Sequence, residues 1–446
     1  MPHDTIVGIP INFLLPKDCP TGQRMKLKSS PEDFRVDEIT QVKPSEGPFA
    51  LYKLSKQGLG TPEAIAEVLS RWNLARHQIS YGGLKDRHAT TVQYFTIARG
   101  PRTDFHDRSM SVEYLGQTSH PYHAKDIAAN RFEIRLRKID PAIRPILEQR
   151  ADALGAFGAI NYFDDQRFGS LGESGEWIGL HWCKSNYERA LYLALAEPNP
   201  HDRPREKEQK EILRTYWGQW DKCKAILDRS HRRSIVTYLV DHPVDFKRAL
   251  ALVRQDLRGI YISAFQSWMW NRWLSSLLEK FNDQKTLHYL DSKCGPLALP
   301  NLHTQEKQSQ WKTQWSRSLP LPSARQHDWP EGTFEALEKL LEPLGITVRE
   351  LRLKYPRDTF FSRGDRSIVL RIPQFENTWV PCQSNPALLD WILKFQLPRG
   401  SYATMVIRQL FTAGNSVEDP DEAPDEQTDE TEDGMAGGMP VEKPMD

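Results

Sequence analysis

The chain of 446 residues predicts an α+β fold in which an α-rich segment is inserted into a β-rich domain. Three observations carry this. Strand patterns mark residues 34–39, 90–95 and 130–139, the last alternating strictly. Helix-period apolar residues dominate from about Pro141 to Phe157 and again through "ISAFQSWMWNRWLSSLLEKF". Strand patterns then return at "RSIVLRIPQF" and before "LPRGSYATMVIRQLF". An order of β-rich, α-rich and again β-rich is explained better by an insertion than by two tandem domains.

Taken in order, "RMKLKSSPEDFRVDEIT" reads as a basic strand, a turn at Ser29-Ser30-Pro31 and a second strand over Phe34–Ile39. In "TPEAIAEVLSRWNLARH", Thr61 is expected to cap a helix and Pro62 suits its first position. Ile65, Val68, Leu69 and Trp72 form its apolar face. "YGGLKDRHATTVQYF" follows, with Gly82 and Gly83 supplying a tight turn and Val92 and Tyr94 alternating against Gln93 and Phe95. Asp86 is therefore expected at the mouth of a sheet. "NRFEIRLRKI" sets Phe132, Ile134 and Leu136 on one face and Arg131, Glu133, Arg135 and Arg137 on the other, a strand with a basic solvent face.

The chain carries 59 basic and 59 acidic residues, but 12 acids and a single Lys lie after Ser416. Residues 1–416 thus hold 58 basic against 47 acidic side chains, an excess of +11 that suits a phosphate-rich partner. The acidic stretch 417–446 lacks aromatic residues and is expected to be disordered, either as a solubilising appendage or as a competitor for RNA. Five scattered cysteines show no C-x-x-C pair and no zinc spacing, which argues against a metal site or a disulfide framework. The N-terminus lacks the pattern of a signal peptide and no apolar run has membrane-span length, so a cytoplasmic protein is expected.

Four short stretches carry candidate chemistry, and each has an ordinary structural explanation when taken alone. Lys85-Asp86 suits an exposed turn pair, and "NYFDDQRFGS" a loop pinned by its aromatics. Asn130 and Phe132 suit a strand start, and "LPRGSYATMVIRQLF" a turn, an N-cap and a helix packing Met405, Val406 and Leu410.

Their combination and order resemble the TruD family of tRNA pseudouridine synthases over residues 20–412. The pattern G-x-K-D-x-x-A-x-T-x-Q is met in full by Gly83, Lys85, Asp86, Ala89, Thr91 and Gln93. "SPEDFRVDE", "NRFEIRLR", "NYFDDQRFG" and the spaced Ala264, Ser267, Trp270 and Asn271 resemble further family motifs, and "LPRGSYATMVIRQLF" the closing one. Asp164 stands where Gly is usual and Trp270 where Phe is usual, which bears on local loop geometry and rim contacts.

The resemblance implies a mixed, largely antiparallel sheet with flanking helices. It makes residues 1–158 and 349–416 a discontinuous catalytic pseudouridine synthase domain and residues 159–348 an inserted TRUD domain. It implies conversion of uridine to pseudouridine in tRNA at position 13 of the D arm, by a monomer, without metal or cofactor. The catalytic role falls on Asp86; whether it attacks the base or the sugar is open. A buried carboxylate needs a cation to stay ionised. Lys85 and Asp86, as neighbours on a strand, are expected to point to opposite faces; Lys28, in the β-rich stretch just before "SPEDF", matches a basic position in the family and is the expected cation. Phe132 is the expected stacking ring for a flipped base, with Asn130 and Phe34 lining the pocket. Gln166, Arg167 and Arg399 are expected to bind RNA. Two other readings are a non-catalytic RNA-binding or RNA-folding protein on the same scaffold, and a glycosidase. The latter needs a second positioned acid that the motifs do not supply.

Overall fold

The computed structural model describes residues 12–14, 24–26, 30–200, 202–282, 287–300, 315–326 and 329–412. Lys28 and the acidic stretch 417–446 lie outside the described residues. Nine strands make the main sheet: β1 (Phe34–Thr40), β2 (Phe49–Gln57), β3 (Ile79–Tyr81), β4 (Thr90–Ala98), β5 (Phe105–His106), β6 (Met110–Thr118), β7 (Ile127–Ile139), β8 (Glu376–Pro381) and β9 (Leu389–Leu397). Their spatial order is β8-β9-β7-β1-β4-β2-β6-β5. One edge of β4 is shared, β1 taking Thr90–Val92 and β3 taking Phe95–Ile97. Only β1 and β4 run parallel, so the expected mixed, mainly antiparallel sheet is present.

Helix α1 (Thr61–Arg71) covers one half of the sheet, burying Ala64, Ile65 and Val68 against Tyr52, Phe95 and Ile97. Its N-cap is Gly60 and not the expected Thr61, whose hydroxyl is engaged elsewhere. Helix α2 (Arg144–Phe157) packs Leu147, Ala151 and Leu154 on the other half, with Ile134, Leu393 and Phe395 beneath. Between them and the return to the sheet lies the α-rich stretch. Six described helices from Ile178 to Leu252 lead into α3 (Gln255–Phe281), whose Phe265, Trp270 and Trp273 are fully buried. The closing helix, α4 (Ala403–Phe411), buries Val406, Ile407 and Leu410 in the core beneath β7 and β9.

The expected strand over 366–375 is instead two short ones. Asp365–Ser367 pairs with Ser318–Pro320, and Val369–Leu370 with Ala159–Ile160. Pro373 has no N–H to extend a ladder. The basic face of β7 is also not wholly a solvent face. Arg131 and Glu133 are exposed, but Arg137 holds the buried carboxylate of Asp33 with Nε at 2.9 and 2.8 Å from its two oxygens. The Nη1 of Arg137 lies 3.7 Å from Asp390, a second buried acid.

The junction with the α-rich stretch is held by side-chain amides gripping backbone. Asn271 of α3 accepts from the Phe163 N–H and donates to the Phe163 carbonyl, both at 2.8 Å, and Gln409 of α4 does the same for Ile160, both at 2.8 Å. Arg366 donates to the Asn161 carbonyl and side chain at 2.7 Å each and lies 4.0 Å over the Phe163 ring. Asp164, the departure from Gly, caps the short turn Asp165–Phe168 by accepting from the Gln166 N–H at 3.0 Å, and its other oxygen accepts from the Thr404 hydroxyl at 2.8 Å. Its φ of −77° needs no glycine. Trp270, the other departure, is fully buried edge-on to Phe163 at 5.6 Å.

Two tests follow from these contacts. Arg137→Ala leaves Asp33 and Asp390 buried without their guanidinium. Arg137 is itself part-exposed, so the expected loss is about 2–3 kcal/mol of unfolding free energy. A denaturant midpoint equal to wild type would overturn this. For Asp164, burial outweighs its hydrogen bonds and pushes its carboxyl above the usual carboxylate range. An acid raised on folding contributes its stability below the unfolded value and loses it as pH rises through the folded value. The neutral Asp164→Asn variant should therefore gain stability relative to wild type as pH rises from about 4. Thermal melts whose difference does not change with pH would show that Asp164 carries no such penalty.

Candidate active site

The loop 82–89 connects β3 to β4 and is built from beneath by buried polar groups. Strand β2 puts Leu54 and Lys56 on the covered face, and register sets Lys56 opposite Thr91 of β4. The Lys56 ammonium donates to the carbonyls of Leu59 at 2.6 Å, Asp86 at 3.0 Å and Lys85 at 3.4 Å. Lys56 is only 2% exposed, and this burial pulls its ammonium down to about 8, with Asp86 and Glu63 pushing the other way. Thr61 completes the cradle: its hydroxyl accepts from the Lys85 N–H at 2.8 Å and donates to Gln93 Oε1 at 2.7 Å. The Thr and Gln at the end of the G-x-K-D-x-x-A-x-T-x-Q stretch are thus buried beneath the loop, with Gln93 bracing Thr61. Gly82 packs closely, and a Cβ there would meet Ile127 Cδ1 at 2.7 Å and the His123 carbonyl oxygen at 3.1 Å, so Ile127 would have to shift. Neither Gly82 nor Gly83 adopts positive φ, so neither position uses the left-handed freedom particular to glycine.

Lys85 and Asp86 then part company. The Lys85 side chain turns down to Glu38 Oε2 at 2.9 Å and Asn130 Oδ1 at 2.6 Å, where it is 9% and Glu38 1% exposed. Glu38 is fixed from its other oxygen by the Tyr122 hydroxyl at 2.8 Å. Asp86 is exposed. Lys28, the counter-charge expected for it, lies outside the described residues.

The rim of this loop borders an open cleft of about 180 Å³. Leu84, Lys85 and Asp86 form one wall. Phe34 and Val36 of β1 with Asn130 and Phe132 of β7 form the floor, sharing a face because Val36 pairs with Phe132 and Glu38 with Asn130. Gln166, and Ser401 to Thr404 at the start of α4, close the far side. Phe132 is 8% exposed, stacked on Phe395 at 5.6 Å and edge-on to Phe34 at 6.2 Å. Burial raises the Tyr402 hydroxyl above its ordinary range.

The structure thus brings Asp86, Lys85, Phe34, Asn130, Phe132 and Gln166 to one cleft. It does not bring Arg167 or Arg399 there. Arg167 points its Nε at Ser267 Oγ, 3.4 Å away, and Arg399 is exposed on the turn before α4. Sequence reasoning passed over Glu38, Lys56, Thr61 and Tyr402. Glu38 and Lys56 had a signal, since each continues an apolar face at i+2 from Val36 and Leu54, and a charge on such a face calls for a partner. Among the described residues no cluster of His, Cys, Asp and Glu could hold a metal ion, and no helix is long and apolar enough to cross a membrane.

The chain is similar to known proteins along most of its length. The family model for tRNA pseudouridine synthase D (TruD) matches residues 17–410. A "Probable tRNA pseudouridine synthase D 1" from Methanococcus maripaludis is 28% identical over 397 residues, covering 87% of this chain and 99% of the relative. The tRNA pseudouridine synthase D of Aquifex aeolicus is 25% identical over 399 residues, 87% of this chain and 98% of that one. A solved TruD structure from Methanosarcina mazei superposes with a TM-score of 0.66 at 22% identity, over 91% of this chain and 96% of that chain, which shows the shared fold. With its Asp86 loop at the cleft and the match running nearly end to end, this chain belongs to the tRNA pseudouridine synthase D (TruD) family of isomerases.

Proposed function

We propose that this protein isomerises uridine to pseudouridine at position 13 of the tRNA D arm, with Asp86 as covalent nucleophile and the target base flipped into the cleft. The observation that carries the reading is the exposed Asp86 carboxylate, held at the rim of a cleft floored by Phe132 and Asn130. The reaction breaks the bond from C1′ of the ribose to N1 of uracil and forms one from C1′ to C5. C5 loses a proton and N1 gains one, so atoms and electrons balance without a redox partner. Attack of the carboxylate on the sugar or on the ring both regenerate it at the end.

A flipped base needs a stacking surface and polar groups at its edge. The Phe132 ring, backed by Phe395, supplies a rigid wall, while Asn130 and Gln166 supply amides. Asn130 is oriented by Lys85, so its oxygen is occupied and its amide N–H₂ is the end presented onward. Arg167 and Arg399, off the cleft floor, are placed in this reading on the phosphate backbone, where position and not base identity is read.

Asp86→Asn should retain the fold and tRNA affinity while turnover falls by more than about a thousandfold. Bulk tRNA assayed by pseudouridine-specific chemistry, with uridine 13 replaced in a control transcript, reads both rate and position. Turnover within about tenfold of wild type would remove Asp86 as nucleophile. A wild-type protein that binds tRNA and forms no pseudouridine would favour the RNA-binding alternative.

For Phe132, truncation to alanine would also hollow the core on Phe395, so Phe132→Leu is the cleaner variant. Loss of a stacking contact worth ~1–3 kcal/mol should slow single turnover by about 5- to 150-fold with tRNA affinity nearly unchanged. An unaltered single-turnover rate would leave Phe132 as a core residue only.

A further inference from the structure

We infer that Lys56 is the positioning residue of the reaction: as an ammonium it fixes the backbone of Lys85 and Asp86 and so sets where the nucleophile stands. This rests on the reading of Asp86 as nucleophile. Lys56 does not line the cleft. It acts through the three carbonyls it binds, those of Leu59, Lys85 and Asp86.

The geometry asks for the charged form. Three acceptor oxygens surround Nζ, and an ammonium has three N–H donors to meet them. A neutral amine has two, and its lone pair would face the third oxygen. The remaining neighbours offer no substitute. Opposite Lys56, β4 and β6 present the uncharged Thr91 and Met110. The charged groups acting on it are Asp86 and Glu63, which favour the cation, and Lys85, which opposes it. Glu63 is paired with Arg87 and Lys85 with Glu38.

Burial nonetheless brings the Lys56 ammonium down to about 8, so the free protein loses this proton within an accessible range. The sign separates positioning from stability. A lysine whose folded value lies below its unfolded one costs stability at low pH, and that cost is relieved as pH rises between the two values. The fold therefore gains from deprotonation of Lys56 over the same window in which the loop loses a donor. An alkaline loss of turnover through Lys56 cannot be ascribed to unfolding.

The test combines a pH profile with two variants. Wild-type kcat/KM, which reports groups of the free enzyme, should fall about tenfold per pH unit above about 8. A profile flat to about pH 9.5 would overturn the inference. Lys56→Met should slow single turnover at saturating tRNA by about 30-fold or more while tRNA affinity stays within about twofold; an unchanged saturating rate would overturn it. Lys56→Arg keeps the cation at all pH values and should lose the alkaline limb; a limb unchanged in that variant would assign it to another group. If Lys56→Met fails to fold, the wild-type and Lys56→Arg profiles still decide. Asp86→Asn, run alongside, separates the two levels. An active Asp86→Asn removes the nucleophile reading itself, whereas an inactive one beside a fully active Lys56→Met removes only the role of Lys56.

Discussion

A loop that offers a carboxylate to a substrate has to be open above and rigid below, and the two lysines beneath residues 82–89 reconcile these demands. Lys56 takes the backbone of the loop and Lys85 takes its footing on Glu38 and Asn130. Burying ammonium groups is expensive, and each is tolerated because it meets fixed acceptors, three carbonyls for Lys56 and a carboxylate and an amide oxygen for Lys85. A hydrophobic replacement of equal volume could match such pairs in stability, but it would not hold a peptide plane by its carbonyl oxygens. The polar layer is therefore better explained by the position of Asp86 than by the stability of the fold.

The same logic runs through the junction with the α-rich stretch. Asn271, Gln409 and Arg366 touch backbone at Phe163, Ile160 and Asn161, and none of the three lines the cleft. Asp164 then ties the turn bearing Gln166 to Thr404 at the start of α4, two segments on the same side of the cleft. Residues far apart in the chain thus determine a wall that no single element could define. Such contacts resist small displacements because buried amides and carboxylates have few alternative partners.

Much of this was readable from period and motif. Strict alternation placed Phe132 on a covered face, and i, i+2 spacing put Asn130 beside it. The order of periodicities gave the interrupted sheet. What escaped was tertiary. Nothing local shows that Thr61 abandons the cap of α1 to serve the loop, or that Arg137 turns from solvent to Asp33, more than 100 residues away. Lys85 and Asp86 do diverge as the opposite-face rule for neighbours expects, but they do so in a loop and not in a strand, so the rule was not the reason. A pairing such as Lys85 with Glu38 depends on the register of β1 against β7, which alternation alone leaves undetermined.

An exposed Asp86 in a prepared cleft also indicates where the energy for catalysis enters. Before RNA arrives Asp86 stands exposed at the rim. The hydrophobic wall is already packed, since Phe132 rests on Phe395 and Phe34. Docking a flipped base would exclude water from Asp86 at the moment it is needed, and the many phosphate contacts of a tRNA can offset that cost. A small uridine nucleoside brings the same reacting atoms without those contacts. Under the proposed function, reactivity at Asp86 would then depend on RNA bound well beyond the flipped base.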